Sequence, residues 1–517
     1  MRAADKIKRY EGRLKALLVS IPLAVFTPEA CTSPREILHP LPPGAVTLGE
    51  GRMKAQVDET RAFYLAIAND DLLKGFRQRA GLPAPGNNLG GWYSSDTFHV
   101  FGQIVSGLAR LYAATGDAAC CDKANTLITE WGKCVATNGY FYYSTRPNAP
   151  HYTYDKMLGG LLDAHIYCGS TNALEYMSRI TDWAIANLDR SRIYADTATE
   201  WYTLSENLYR AYQLTGQDKY RFFAHIWEYT DYWNIYLAGG DIFAPRPGGG
   251  QTRFYHAYSH VNTLNGAGAG YLALGNPNYL TLLTNAYDFL RANEVLVTGG
   301  YGPDEQLLPR SNLVSRLYTS AHTFETQCGS WAVFKLVRYL MTLTGDARYG
   351  DWVEELCYNG VGASLPTTAN GRVFYYSDYQ VDGARKQNHP VAWTCCTGTR
   401  PQVVADYASQ VFLQGDEALY VNLFTPATVR WNVNGQEVTV SQETAFPEEN
   451  LTTLSVAAAA PVAFSLKIRT PGWLASPMTA TLNGQQLVLS ADSMHWAGVA
   501  RVWSPGDRLV VSLPQTL

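Results

Sequence analysis

One pattern limits what this chain can fold into: five times, runs with apolar residues at helical spacing stop at a glycine. The runs end at Gly116 (after Leu108-Ala-Arg-Leu-Tyr-Ala-Ala-Thr), Gly169, Gly216, Gly275 and Gly345. Apolar residues at i, i+3, i+4 and i+7 make one face of a helix, and a glycine just past the last turn takes the left-handed conformation that closes it. The glycines lie 53, 47, 59 and 70 residues apart, which is room for a helical hairpin plus a variable loop and too irregular for a short solenoid repeat. The expectation is a mainly α fold, hairpins closed into a toroid over residues 34–415. Such a ring gathers its loops at one mouth, where binding residues concentrate. The loops are rich in His, Asp, Glu, Tyr and Trp: Gly90–His99, His151–Lys156, Phe254–Thr263 and Thr298–Glu305.

From residue 416 to 517 the texture changes to short β-rich runs separated by Asn434-Gly435, Pro471-Gly472, Asn483-Gly484 and Pro505-Gly506. Asn-Gly between alternating runs marks a tight hairpin, so a C-terminal antiparallel β-sandwich domain is expected. At the other end, residues 1–33 place Arg2, Lys6, Lys8, Arg9, Arg13 and Lys15 ahead of the apolar run Ala16–Phe26. That is the order of a secretory signal and implies an exported protein, and the run is too short to span a bilayer. A net charge of −4 with 17% charged residues argues against a nucleic-acid partner. Aromatic residues at 13%, with 34 Tyr and 13 Trp, suit stacking against sugar rings.

Two features carry chemistry. Cys395-Cys396 lies between Trp393-Thr394 and Thr397-Gly-Thr399; adjacent cysteines either pack separately as small apolar residues or offer two sulfurs to a soft metal. Upstream, in Glu325-Thr-Gln-Cys328, a helix starting near Glu325 would put its carboxylate and the Cys328 sulfur on one face. With the pair, that makes one oxygen and three sulfurs, a tetrahedral zinc set.

Residues 40–512 resemble the glycoside hydrolase family 127/146 group, the β-L-arabinofuranosidase-like proteins. The resemblance rests on Leu72–Arg77 with Ala80–Pro83, Leu108–Asp117, Tyr152–Lys156 with Gly159–Asp163, His260–Thr263, Thr298–Gly300, Glu325–Cys328, Tyr358–Gly360 and Trp393–Thr399 in shared order. It implies an (α/α)6 barrel followed by β-domains, with Zn2+ bound by one Glu and three Cys. By resemblance Cys395 is nucleophile and ligand, Cys396, Cys328 and Glu325 complete the set, and Glu305 is the acid/base of a retaining exo-glycosidase. His99, Gln103, Asp155, His260, Asn262 and Tyr376 are candidate contacts to a carbohydrate substrate. The chain departs from the group in Glu-x-x-Cys for Glu-x-Cys, and in Gln103 and Asp155 where relatives carry histidine. Two other readings stand beside this one: a metal-independent uronic-acid-processing enzyme using Asp155 and His260 as acid and base, and a catalytically inactive glycan-binding protein.

Overall fold

The structure, a computed structural model, describes residues 35–188, 190, 200–245, 255–318, 323–380 and 385–516. The proposed signal segment, residues 1–33, lies outside the described residues.

The glycine stops locate one layer of the fold. Helices α2 (Phe101–Thr115), α4 (Pro150–Cys168), α6 (Ser205–Thr215), α8 (Ala257–Leu274) and α10 (Gln327–Thr344) end at Gly116, Gly169, Gly216, Gly275 and Gly345, each in the left-handed region with φ between 64° and 74°. With α12 (Cys395–Ala405) they pack in the cyclic order α2-α4-α6-α8-α10-α12-α2, a closed inner ring. The outer ring is α1 (Arg52–Ala66), α3 (Ala118–Gly132), α5 (Thr171–Asn187), α7 (Asp218–Ile226), α9 (Pro277–Asn293) and α11 (Gly350–Tyr358). The architecture among the described residues is the (α/α)6 barrel. Burial separates the layers as the sequence requires. Residues 257–270 of α8 are all buried, whereas α3 buries only a stripe through Cys120, Ala124, Leu127, Ile128 and Trp131, the signature of a helix with one solvent face. Inner helices meet backbone to backbone: a Cβ on Gly102 of α2 would sit 2.4 Å from the Lys156 carbonyl oxygen of α4, and one on Gly160 of α4 2.4 Å from the Gly102 oxygen.

The C-terminal strands form two sheets. One has seven strands in the order β12-β11-β14-β9-β8-β7-β2, wholly antiparallel. It comprises β2 (Val46–Leu48), β7 (Ala427–Val433), β8 (Gln436–Thr444), β9 (Leu451–Ala458), β11 (Thr479–Leu482), β12 (Gln485–Leu487) and β14 (Arg508–Ser512). The other, β1-β5-β6-β10-β13, contains β1 (His39–Pro40), β5 (Phe412–Gly415), β6 (Ala418–Val421), β10 (Val462–Arg469) and β13 (Trp496–Trp503), with β6 and β10 parallel. Both Asn-Gly steps are hairpin turns, with φ of 53° and 83° at Asn434-Gly435 and 51° and 82° at Asn483-Gly484. Alternation along β7 buries Val429, Trp431 and Val433, toward a core that includes Leu466, Ile468 and Trp503. The sheets also take in β1, β2 and β5, which the sequence boundaries of 34–415 and 416–517 had put with the helices. Strands of two to four residues carry too little alternation to be read as strands.

A third, two-stranded sheet, β3 (Phe374–Asp378) with β4 (Arg385–Asn388), stands apart between α11 and α12 in sequence. No helix among the described residues is long and apolar enough to cross a membrane.

Candidate active site

The inner helices present their N-terminal ends to one place. Cys395 is the first residue of α12, after the extended Thr394. Cys328 is the second residue of α10, whose N-cap Thr326 accepts a hydrogen bond from the Gly329 N–H at 3.2 Å. The ligand atoms of Cys328, Cys395 and Cys396 lie within 4.8 Å of one another, the one such group of potential metal ligands among the described residues. Cys396 Sγ donates to Cys328 Sγ at 3.3 Å, and Thr399 Oγ1 lies 3.1 Å from Cys328 Sγ. Burial opposes ionisation of Cys328, but the hydrogen bonds it receives from Cys395, Cys396 and Thr399 outweigh that and hold it down to about 5. Its hydrogen bond to Cys328 pushes Cys395 up to about 12. Helix N-termini favour anionic sulfur, and a cation held among the three sulfurs would favour it further. Three buried, convergent sulfurs are the donor set zinc takes, so these residues fit the metal.

Glu305 faces this centre from the loop before α10. Gly302 (φ +71°) lets that loop press on the start of α8, since a Cβ there would lie 2.1 Å from Ala257 Cβ. Tyr375 OH donates to Glu305 Oε1, and His256 Nε2 lies 4.0 Å from the same oxygen. Burial raises the Glu305 pKa, the His256 charge opposes this, and the charge of Cys395 adds to it. Tyr375 reaches Glu305 because the β3–β4 register slips between Phe374 and Tyr376; a bulge re-aims a side chain in this way.

A second carboxyl, Glu200, lies within electrostatic reach of the same sulfur. It lies just before the 3-10 turn Trp201–Thr203 that leads into α6, with its backbone in the left-handed region at φ 44° and ψ 36°. Non-glycine residues held there cost on the order of 1–3 kcal/mol. The residue is 6% exposed, and its Oε2 has no hydrogen-bond partner among the described residues. Burial pushes its pKa up to about 7, against the charges of His256 and Lys156 and with those of Cys395 and Glu305.

The residues expected from sequence divide. Cys328, Cys395 and Cys396 come together; Glu325 does not join them. Helix α10 begins at Gln327, two residues later than the one-face argument needs, and Glu325 lies ahead of the N-cap. Its carboxylate accepts hydrogen bonds from Ser377 and Lys386 and from Tyr379 OH at 2.9 and 3.1 Å. Asp155 is also engaged, by Lys156 Nζ and Asn207 Nδ2 at 2.8 Å each and by Thr203 Oγ1 at 3.3 Å. Gln103 Nε2 donates to Thr399 Oγ1 at 2.8 Å, bracing α12. His260 is boxed by Tyr202, Tyr229, Tyr232 and Tyr255, with Nδ1 3.0 Å from the His256 carbonyl oxygen. His99 packs among Phe76, Tyr93 and Tyr143, and burial lowers its pKa to about 3, so it is neutral. Asn262 is buried and accepts from Asn265 Nδ2 at 3.3 Å. Tyr376 stacks on His389 with centroids 5.9 Å apart, while its neighbour Tyr375 makes the bond to Glu305.

Sequence reasoning missed His256, Tyr375 and Glu200. The signal for two of them was present: the segments entering inner helices carry the site residues, and the same rule applied to α6 and α8 points to Glu200 and His256. No pattern in the sequence betrays the bulge that selects Tyr375.

Comparison with known proteins gives the family and the fold. Residues 45–409 match the family profile described as β-L-arabinofuranosidase, GH127 catalytic domain, and residues 418–515 match the GH127 middle domain. The fold is similar to that of a GH127 β-L-arabinofuranosidase from Geobacillus stearothermophilus T6, with 18% identity and a TM-score of 0.68 over 91% of this chain and 81% of that one. It is also similar to a second GH127 β-arabinofuranosidase, with 16% identity and a TM-score of 0.71 over 92% of this chain and 80% of that one. No curated protein matches the chain by sequence.

Proposed function

Because this chain belongs to the GH127 β-L-arabinofuranosidase family and is a glycoside hydrolase, we propose that it cleaves β-L-arabinofuranosides or related glycans with retention. In this reading Cys395 is the nucleophile and Glu305 the acid/base. The observation that carries it is the convergence of a three-sulfur cluster at two helix N-termini with a carboxyl of raised pKa that feels the charge of Cys395.

Cys328, Cys395 and Cys396 would hold zinc. When bound, the metal supplies the positive charge that keeps sulfur as thiolate at neutral pH. Cys395 Sγ attacks the anomeric carbon while the glycosidic C–O bond breaks, and Glu305 gives its proton to the departing oxygen. The resulting thioglycoside on Cys395 is released when Glu305, now a carboxylate, takes a proton from water and that water attacks the same carbon. Cys395 leaves as thiolate, and two inversions give net retention. Tyr375 and His256 hold the Glu305 carboxyl in place through both steps. Gln103 keeps α12, and with it Cys395, in register.

The test is Cys395→Ala and Cys395→Ser in the folded full-length chain, assayed on an aryl β-L-arabinofuranoside with NMR of the first-formed sugar. Loss of at least roughly 10³-fold in kcat with wild-type retention of configuration supports the reading. Full activity of either variant, or inversion by the wild type, refutes it. Metal analysis before and after chelation separates this chemistry from a metal-independent acid–base mechanism at Asp155 and His260, and sugar binding without turnover would mark an inactive scaffold.

A further inference from the structure

We propose that Glu200 is the residue that recognises one hydroxyl of the sugar bound over Cys395, accepting its hydrogen bond on Oε2; this rests on the reading of Cys395 and Glu305 given above. Four observations carry it. The carboxyl is buried, yet Oε2 has no hydrogen-bond partner among the described residues, and a buried polar atom left so calls for an explanation. Its electrostatic neighbours are those of the reaction centre, namely His256, Lys156, Cys395 and Glu305. Lys156, the cation that would otherwise claim it, is already held by Asp155 at 2.8 Å and Tyr258 OH at 3.0 Å. Finally, the turn is fixed from behind: the Glu200 carbonyl oxygen accepts from Thr203 N–H at 3.1 Å and Thr203 Oγ1 at 3.0 Å, and Thr203 Oγ1 also reaches Asp155. Backbone strain at Glu200 is thus held by the turn before α6 and, through Asp155, by α4.

A glycoside is neutral, and the donors it offers are hydroxyls. A carboxylate oxygen is acceptor-only and matches an O–H. A buried acceptor that has given up water for a substrate hydroxyl is left unsatisfied when the hydroxyl is missing, so the residue discriminates against deoxy sugars and epimers at that position.

The experiment uses the zinc-loaded full chain with 4-nitrophenyl β-L-arabinofuranoside and its 2-, 3- and 5-deoxy derivatives. For the wild type, kcat/KM is expected to fall roughly 10- to 100-fold for one derivative beyond the others. Glu200→Ala and the near-isosteric Glu200→Gln should lose a comparable factor on the parent compound and little on that one derivative. Equal losses on all four compounds in both variants, or a wild type indifferent to every deletion, overturns the assignment, and the wild-type arm needs no variant to fold. Failure of the reaction reading looks different: the wild type leaves all four compounds uncleaved, or Cys395→Ser keeps its activity. Glu200 is then judged by calorimetric binding of the same four compounds to Cys395→Ser with and without Glu200→Gln. A loss of affinity confined to one hydroxyl supports it, and uniform loss or no binding overturns it.

Discussion

Cys395 and Glu305 need opposite things from one pocket: the sulfur must be ionised, and the carboxyl must keep its proton until the bond breaks. The hydrogen bond to Cys328 and then burial raise the Cys395 pKa, and burial raises that of Glu305, which hinders the nucleophile and helps the acid, so only the nucleophile needs a cation. For Glu305 the sign is direct. Its acid form persists above the ordinary value of 4.5, so kcat/KM should fall on an alkaline limb placed above that value. Tyr375 donates to the ionised form and lowers the pKa. Tyr375→Phe should therefore move the limb upward by on the order of one pH unit, and a limb that moved down or stayed put would remove Tyr375 from this role. Glu200 makes a matching prediction for stability. Its pKa is raised to about 7 from 4.5 by burial, so between those values the native state holds a proton the unfolded chain lacks, and stability falls as pH rises through that window. Glu200→Gln should abolish this slope, gaining up to about 3 kcal/mol over the wild type at pH 8 and far less at pH 4.5, as measured by urea unfolding at the two pH values. At this scale the cysteines were legible because two are adjacent, a third follows Glu325 at Glu-x-x-Cys spacing, and the family resemblance covers both segments. Asp155 and His260 were legible as polar residues near the site, but not as residues whose bonds are spent on neighbours.

Among the elements, the order of N-termini around the inner ring is what builds the site. Five of the six inner helices were visible through their glycine stops; α12 was not, because it ends at Asp406 in ordinary helical geometry and contains Pro401. The start of α10 was misjudged for a reason the sequence did contain. Thr326 is a good N-cap, and honouring it puts Glu325 outside the helix. There Glu325 pins the β3–β4 hairpin through Ser377, Tyr379 and Lys386, and the hairpin in turn aims Tyr375 at Glu305. Glu325→Ala strands Lys386, so it should destabilise the protein by about 2–4 kcal/mol and lower activity through Glu305, while zinc per chain stays at the wild-type value. Measured by elemental analysis of the folded variant, a loss of the metal would return Glu325 to the ligand set.

Across the whole molecule, the sandwich is tied to the barrel by buried charge as well as by apolar contact. Arg469, at the end of β10, is fully buried; it donates to Asp351 and Glu354 of α11 and to the Asn422 carbonyl oxygen at 2.6 Å. Trp473 Nε1 also donates to Glu354 at 2.6 Å. Helix α11 packs on α10, which carries Cys328, so the joint lies one helix away from the sulfur centre. Removing one partner of such a pair leaves an uncompensated buried charge, and Arg469→Ala should cost about 3–5 kcal/mol. The pH dependence distinguishes this from mere loss of packing. Burial already raises the Glu354 pKa against the pull of Arg469; without the guanidinium it rises further, so at pH 5 the variant can neutralise Glu354 by protonation and at pH 8 it cannot. Denaturant unfolding should therefore show the Arg469→Ala penalty larger at pH 8 than at pH 5 by on the order of 1–2 kcal/mol. In the double variant with Glu354→Gln that difference should shrink, because the group that titrates has gone. A penalty equal at both pH values, unchanged in the double variant, would mean that Arg469 holds barrel and sandwich together by its bulk alone.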